Sequence, residues 1–376
     1  MKNRFTLSGV GGAAGDVGTH IPFVIAYVSI VGMDADGILL MFGATLIVVG
    51  LSFKTPFPVQ PMKAIGAAAV TQTVGAVALT PAMVAGAGLV TGAIWLGLAA
   101  TGLAKRLAQW IPKPALLGVV MGLGFSFMLE GIRMMAQSWW LAAALLVTTI
   151  ILLARSRLPA MVVLLIAGAF VAVVQQPTLA DDLALIKPVF HLPDLAWPTL
   201  GWHDVWLGAL LLALPQLPLT FGNALIAITE ENNRLFPDRP VTERQVALST
   251  GVVNLFSSAI GGIPMCHGAG GMAGHVKFGA RTGGASVMLG MLLTVVALFF
   301  SESVGVLFQL FPTAVLGVIL FLAGAELALG SRDPGGEKEA RFVVLTTAAF
   351  AVVNVGVAVV FGIVAHYASK RGWLGV

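Results

Sequence analysis

Long stretches without any charged side chain constrain this chain more than any other feature. Residues 64–104 contain no Asp, Glu, Lys or Arg, and further charge-free stretches lie at 245–276 and 342–369. Only 10% of the 376 residues are charged and 58% are hydrophobic, whereas about 25% of a soluble domain is charged. So few charges cannot give every helix a solvated face. The sequence therefore predicts an all-α polytopic protein in a lipid bilayer and excludes a soluble globule.

The apolar stretches divide into about 14 transmembrane segments when they are split at glycine, proline and polar clusters, because one span needs about 20 mostly apolar residues. We expect segments at 16–32, 37–54, 60–77, 83–103, 112–132, 138–154, 159–175, 204–230, 242–261, 265–280, 283–301, 311–330, 340–354 and 355–369. Residues 177–203 contain Asp181, Asp182 and several prolines, which indicates an extramembrane connector.

The distribution of lysine and arginine orients the spans, because these residues favour cytoplasmic loops. With a cytoplasmic N terminus and about 14 spans, every Lys and Arg except Lys63, Arg133 and Lys187 falls on the cytoplasmic side. One span more or fewer would destroy this asymmetry. We therefore expect a multi-pass protein of the bacterial inner membrane with both termini in the cytoplasm.

An internal repeat of roughly 200 residues relates the two halves of the chain. The string PALLGVV at 114–120 matches TAVLGVI at 313–319, and PVQPMKAIG at 58–66 resembles GIPMCHGAG at 262–270. Matching segments lie seven spans apart, so the halves must have opposite orientations, as is typical of secondary transporters. The predicted domains are a first inverted repeat at 1–176, the connector at 177–203 and a second inverted repeat at 204–376.

The third and tenth segments begin with prolines and polar residues where a regular helix should already run. Irregular backbone is tolerated at membrane depth only where it is buried in protein or lines a cavity. We therefore predict half-helices at segments 3 and 10, with N-terminal ends that face each other near the membrane midplane. Their N–H groups and positive dipole ends suit an anion, and Gly268 and Gly270 would let it approach the backbone.

Lys63 lies in the first turn of the third segment, and two interpretations of it are open. A lysine within a membrane costs about 2.5–3.5 kcal/mol on insertion scales, and a bound anion would offset that cost. Alternatively, the side chain extends to the cytoplasmic surface. Asp16 in the first span is either a proton site or charge partner of Lys63, or the N-cap of its helix.

Neutral polar residues on the repeat-related segments supply further candidates for substrate binding, although each could instead join helices to one another. These candidates are Thr19, Gln60, Gln216, Thr220 and Asn223. His267 could donate to an anion or have a structural role, and Cys266 could contact substrate or only fill space. The single cysteine excludes a four-cysteine metal site, and we expect no metal, cofactor or catalytic residue.

These motifs resemble those of the molybdate transporter family of bacteria, fungi and plants, a relative of the SulP sulfate permeases. The resemblance is carried by GDVGT at 15–19, PVQPMKAI at 58–65, PQLPLT at 215–220, GN at 222–223 and PMCHGAGG at 264–271. It implies the seven-plus-seven inverted-repeat fold of uracil and sulfate permeases. There a core domain from spans 1–4 and 8–11 moves against a gate domain from spans 5–7 and 12–14. Because the chain ends at Val376, we expect no SulP-type C-terminal regulatory domain, which favours the molybdate branch.

The predicted function is secondary active transport of a tetrahedral oxyanion, with molybdate favoured, by alternating access around an anion held between the two half-helix N termini. A sulfate transporter and an anion channel of the same fold are the alternatives. A proton or a sodium ion could serve as coupling ion, and the chain could form a homodimer.

Other classes of function lack their motifs. There is no Gly-Lys-Ser/Thr phosphate loop for ATP-driven transport and no His-Glu-x-x-His pattern for a zinc protease. An intramembrane aspartyl protease needs two aspartates within the membrane, and the predicted spans do not supply such a pair near their centres. The basic residues are scattered rather than clustered, so nucleic acid is not an expected partner. We therefore do not expect an enzyme.

Overall fold

The computed structural model describes residues 2–71, 73–74, 77–109, 111–155, 160–192, 200–330 and 338–373. Most of these residues are helical. The α-helices are α1 Leu7–Ala13, α2 Val17–Ile25, α3 Ala35–Phe53, α4 Lys63–Thr71, α5 Pro81–Thr101, α6 Leu103–Gln109, α7 Lys113–Met135, α8 Trp139–Arg155, α9 Ala160–Gln175, α10 Thr178–Leu185, α11 Trp202–Leu207, α12 Leu214–Leu219, α13 Ile228–Leu235, α14 Glu243–Ala259, α15 Ala269–Lys277, α16 Gly284–Phe300, α17 Val304–Gln309, α18 Thr313–Gly330, α19 Lys338–Val353 and α20 Val355–Lys370.

Short irregular elements join these helices. The 3-10 turns are Ala14–Asp16, Ala136–Ser138 and Ser301–Ser303, and the π-helical segments are Ala26–Ile30, Gly208–Ala213 and Thr220–Ala227. The strands are β1 Gln60–Pro61, β2 Thr73–Val74, β3 Val77–Ala78 and β4 Met265–Cys266. β1 pairs with β4 and β2 with β3, both antiparallel.

Helix ends follow the local signals in the sequence, as α5 illustrates. The hydroxyl of Thr80 accepts from the backbone N–H of Met83 at 3.2 Å and Pro81 occupies the first turn, which is the common arrangement at a helix start. Gly102 ends the helix with a φ of 70°, a conformation that favours glycine. The resulting helix lies within two residues of the predicted segment 83–103 at each end.

The last two predicted segments, 340–354 and 355–369, correspond closely to α19 and α20. Asn354 separates these helices because its backbone is extended, with φ −153° and ψ 113°, and its side chain accepts from the N–H of Val357 at 3.0 Å. The two helices also contact α7. A polar cap in an otherwise apolar stretch therefore divides it into two helices.

Four helices among the described residues are long and apolar enough to cross a membrane. They are Ala35–Phe53, Pro81–Thr101, Lys113–Ala154 and Gly284–Gln309. Counting each of the bent pairs Ala160–Leu185 and Trp202–Leu235 as one span raises the total to six. A count of 14 also needs the shorter and broken helices, so it stays a prediction.

Glycines allow the principal helix pairs to approach closely. A Cβ atom at Gly124 of α7 would lie 2.6 Å from the carbonyl oxygen of Gly324 of α18, and one at Gly324 would lie 2.6 Å from that of Gly124. The pair α3 and α16 shows the same reciprocal contact at Gly43 and Gly290. Close backbone approach of this kind is typical of helices that pack in membranes. α5 packs on α14 in a third such pair.

The connector contains a helix that the sequence did not predict, α10, bent by 111° from α9. Beyond it the chain is extended, and the N–H groups of Val189 and His191 donate to the carbonyls of Phe299 and Leu298 at 3.0 and 2.9 Å. The His191 ring also lies 2.9 Å from a carboxylate oxygen of Asp36 at the start of α3. The connector is therefore fastened to α3 and α16.

The eighth predicted segment, 204–230, is a long irregular helix running from α11 through α13. Two π-helical segments flank α12, and the axis bends by 48°. Pro215 and Pro218 lack the N–H groups that a regular helix would use, which accounts for wide turns here. Gln216, Thr220 and Asn223 all lie in this irregular region, and Gln216 and Asn223 reach the starts of α4 and α15.

Candidate functional site

The two proline-containing breaks at the starts of the third and tenth segments meet in a short antiparallel crossing. Gln60 of β1 lies opposite Cys266 of β4, and Pro61 lies opposite Met265. The N–H of Met62 continues the pairing by donating to the carbonyl of Pro264 at 3.0 Å. Both strands are buried. Backbone that is irregular here is therefore paired with backbone, as the interior of a membrane requires.

A nine-residue helix follows each strand of this crossing. α4 begins at Lys63, directly after β1, and α15 begins at Ala269, after β4 and the extended residue Gly268. The first turn of a helix exposes N–H groups and the positive end of its dipole. Two such ends therefore lie beside the same crossing.

Two amide side chains from the irregular eighth segment cap these two helices. The Gln216 side-chain oxygen accepts from the N–H of Ala64 at 2.7 Å, and the Asn223 side-chain oxygen accepts from the N–H of Ala269 at 3.1 Å. The Gln216 amide in turn donates to the Thr220 hydroxyl at 2.9 Å. These three predicted residues are buried and lie together at the helix starts.

His267 has both ring nitrogens engaged by the protein. Its Nδ1 lies 2.8 Å from the carbonyl of Pro58 and its Nε2 lies 2.9 Å from the hydroxyl of Ser249. A carbonyl only accepts, so Nδ1 carries the proton and Nε2 accepts from Ser249 in the neutral ring. Of the two roles considered for His267, these contacts favour the structural one, in which the ring joins the end of β4 to the residues before β1 and to α14.

The ammonium of Lys63 is buried rather than extended to the cytoplasmic surface, so the alternative of a surface-directed side chain is wrong. Its Nζ has almost no accessible surface and lies 3.4 Å from the centroid of the Phe127 ring. It borders a cavity of about 200 Å³. The polar and aromatic lining residues are Lys63, Ser126, Phe127 and Asn354.

Gly268 and Gly270 allow close approach, but to protein side chains in this structure. A Cβ atom at Gly268 would overlap the Gln60 side-chain oxygen and lie 3.2 Å from the Asn223 amide nitrogen. One at Gly270 would overlap the Phe127 ring. Both positions are thus restricted to glycine by packing, and the close approach predicted for a ligand is made here by Gln60 and Phe127.

The remaining predicted residues divide into two groups. Gln60 and Cys266 are buried at the crossing, opposite each other. The side chains of Asp16 and Thr19 lie outside the described residues, so their predicted roles stay predictions. In the described part of the chain no cluster of three or more His, Cys, Asp or Glu residues could hold a metal ion.

Sequence reasoning missed three residues that build the site. Phe127 lies between the two short helices, and Ser249 binds His267. Asn254 donates to the carbonyl of Met265 at 2.7 Å and accepts from its N–H at 2.9 Å, which holds β4 on its outer edge. Asn254 could have been noticed as an amide in the charge-free stretch 245–276, whereas nothing in its spacing marks Phe127.

Comparison with known proteins gives a family and a fold. A family model described as "Molybdate transporter of MFS superfamily" matches residues 8–127 and again 208–327. Molybdate transporter 2 of Arabidopsis thaliana is 32% identical over 412 residues, which cover 96% of this chain and 86% of the relative. Molybdate transporter 1 of Chlamydomonas reinhardtii is 30% identical, with 96% and 91% coverage.

Two solved structures of anion transporters have a similar fold. The transmembrane domain of a cyanobacterial bicarbonate transporter, BicA, has a TM-score of 0.57 and 16% identity, covering 96% of this chain and 98% of its own. The murine Slc26a9 anion transporter in the inward-facing state has a TM-score of 0.65 and 13% identity, covering 99% and 69%. These likenesses concern the fold, and they confirm the predicted relation to the sulfate permease fold.

Proposed function

Because this chain belongs to the molybdate transporter family and is an integral membrane protein with an anion-transporter fold, we propose that it carries molybdate across the membrane as a secondary active transporter. The proposed mechanism is alternating access, in which a core domain holding the anion moves against a gate domain. A proton or a sodium ion supplies the driving force.

The observation that carries this proposal is the convergence of α4 and α15 beside one buried cation. Each helix N terminus is equivalent to about half a positive charge, and the Lys63 ammonium adds one more. The sum balances a divalent oxyanion. Gln216 and Asn223 already bond to N–H groups of both helices at 2.7 and 3.1 Å, so they are placed to share these donors with a substrate.

Substrate contact is proposed for a set of residues around the two helix starts. These are Thr19, Gln60, Lys63, Gln216, Thr220, Asn223 and Cys266, with Gly268 and Gly270 as the close-packed backbone. We propose Asp16 as the charge partner of Lys63. His267 is better explained as a positioning residue, because both of its ring nitrogens bond to protein. It keeps the crossing in the geometry that the anion would need.

Two observations support an architecture of two inverted seven-span repeats. The same family model matches two stretches that begin 200 residues apart, at residues 8 and 208. The helix pairs also obey the expected symmetry: exchanging spans seven apart converts the pair α3 and α16 into the pair α14 and α5, and maps the pair α7 and α18 onto itself. The β1–β4 pair likewise maps onto itself.

The proposed repeats follow from this symmetry, whereas the proposed core and gate domains follow from the resemblance to uracil and sulfate permeases. Residues 1–176 and 204–376 form the two repeats, joined by the connector at 177–203. Spans 1–4 and 8–11 form the core domain around the crossing, and spans 5–7 and 12–14 form the gate domain. We propose the bacterial inner membrane as the location, with both termini in the cytoplasm.

Transport in proteoliposomes tests this function. Purified full-length protein is reconstituted, and uptake of molybdate, tungstate and sulfate is measured side by side under an imposed proton gradient, a sodium gradient or neither. We expect molybdate uptake that accumulates against its own gradient only when one of the ion gradients is present. Uptake that never exceeds equilibrium indicates a channel, preference for sulfate indicates a sulfate transporter, and no uptake of any oxyanion above that of empty liposomes contradicts the proposal.

A further inference from the structure

Phe127 of α7 occupies the space between the first turns of the two short helices. Its side chain is 6% exposed. The ring lies under the ammonium of Lys63, the first residue of α4, at 3.4 Å from Nζ to the ring centroid. It also presses on Gly270, the second residue of α15, so closely that a Cβ atom there would overlap it. One aromatic ring therefore contacts both helix starts.

The proposed function requires an anion in the same space. An anion bound by both helix starts and by Lys63 has to lie against the same faces that the Phe127 ring now covers. A cation over an aromatic face is attracted by the electrons of the ring, so the ring partly replaces the negative charge that a substrate would bring. The anion and the ring cannot both occupy this position.

The surroundings of Phe127 allow its ring to move while its backbone stays in place. A Cβ atom at Gly324 of α18 would lie 2.8 Å from the Cβ of Phe127, so the α7 backbone is held against α18 at this level. On another side lies the cavity of about 200 Å³ that also borders Ser126 and Asn354. A space of this size holds several water molecules and offers room for a rotated ring.

On the basis of the proposed function, we propose that Phe127 is a gate of the anion site. In the closed state its ring fills the site and pairs with Lys63. When a molybdate-like oxyanion binds, the ring turns away toward the cavity between α7 and the α19–α20 junction, and Lys63 exchanges the ring for the anion. Binding of substrate in the core is thereby coupled to a side chain carried by a helix of the gate domain.

The proposal predicts that removal of the ring strengthens binding. Molybdate and tungstate binding to detergent-purified full-length protein is measured by calorimetry. In Phe127→Ala the anion no longer has to break a cation–π contact in order to bind. This variant should therefore bind about two- to thirty-fold more tightly than wild type. Phe127→Leu keeps apolar bulk without an aromatic face and should fall between the two. Phe125→Ala, at an exposed position of the same helix, should match wild type.

A double-mutant comparison tests the position of the ring independently of binding. Gly270→Ala should lower the melting temperature, because its methyl group overlaps the ring. In the Phe127→Ala background the overlap is gone, so most of that decrease should vanish. An equal decrease in both backgrounds overturns the proposed contact between the ring and α15.

The outcomes separate this gate from the underlying function. If wild type binds oxyanion and a folded Phe127→Ala binds equally or more weakly, the gate is refuted and the transport proposal stands. If Phe127→Ala does not fold, Phe127→Leu decides by the same criterion. If neither wild type nor any variant binds molybdate or tungstate, the proposed function fails and the gate fails with it.

Discussion

At the scale of single residues, Lys63 shows which part of a site a sequence can give. Its place in the first turn of a short helix was predicted from the prolines that precede it, and α4 begins there. Its neighbour could not be predicted, since Phe127 is 64 positions away and lies in an apolar helix with many equivalent side chains. Long-range side-chain contacts in membrane helices leave no mark on local spacing.

Replacement of Lys63 by glutamine tests its role toward the anion. A hydrogen bond to a charged group contributes about 1.5–3 kcal/mol, so Lys63→Gln should weaken molybdate binding roughly ten- to a hundredfold. Calorimetric titration of purified protein measures the change. Lys105→Gln, at an exposed position, removes the same charge elsewhere and should leave binding unaltered. Equal affinities in all three proteins would exclude Lys63 from the site.

Substitutions of Asn223 can separate the effect of the helix cap on stability from the effect of charge at the helix start on anion binding. Asn223→Asp keeps an oxygen that can accept from the N–H of Ala269, so the melting temperature should stay near that of wild type. The added negative charge at the helix start repels an oxyanion, and binding should fall at least tenfold (~1.4 kcal/mol). Asn223→Ala has the opposite pattern: loss of the cap costs about 0.5–2 kcal/mol, with a milder effect on affinity. Unchanged affinity in Asn223→Asp would show that the anion lies elsewhere.

Gly268 and Gly270 show why small residues alone do not define a ligand site. Their predicted purpose was close approach of an anion to the backbone, yet Gln60 and Phe127 take up that space here. A bulky substitution at either position should be damaging for packing reasons alone, so it cannot report on the substrate. The sequence reveals that space is needed at these positions, and only the structure reveals what fills it.

At the scale of helices and strands, regular elements were predicted well and irregular ones poorly. Charge-free stretches with caps give the ends of α5, α19 and α20 to within two residues. The π-helical segments at Gly208–Ala213 and Thr220–Ala227 were not predicted, because a proline announces a disturbed helix but not the form of the disturbance. The repeat relates the two proline-containing breaks to each other, but it does not by itself predict that β1 and β4 pair.

Two glycines of α5 provide a matched test of helix packing. A Cβ atom at Gly92 would lie 2.9 Å from the Leu255 side chain and 3.0 Å from the Gly251 carbonyl of α14, whereas one at Gly97 has nothing within 4 Å. Gly92→Val should therefore cost about 1–3 kcal/mol through overpacking, and Gly97→Val little. Thermal unfolding of both purified variants measures the difference. Similar melting temperatures would contradict the close crossing of α5 and α14.

At the scale of the whole molecule, the symmetry of the contacts is consistent with the proposed alternating access, in which one site serves both sides of the membrane. The β1–β4 crossing and the α7–α18 pair both lie where the two halves of the chain meet. An inverted repeat makes the paths from this region to the two membrane faces structurally similar. In the proposed mechanism, movement of the helix that carries Phe127 relative to those that carry Lys63 and Gly270 opens one path or the other.

The charge asymmetry predicts the orientation in the membrane, and two exposed tryptophans are consistent with it. Trp140 and Trp202 are 91% and 81% exposed and would lie together at the outer membrane interface, where tryptophan is enriched. Single cysteines at the exposed positions Asp181 and Asp238 distinguish the two sides, and the native Cys266 is buried. In intact cells a membrane-impermeant thiol reagent should label Asp181→Cys and leave Asp238→Cys unlabelled until the cells are lysed. The reverse pattern would invert the orientation, and labelling of both positions in intact cells would contradict a membrane crossing by the eighth predicted segment, 204–230, which lies between them.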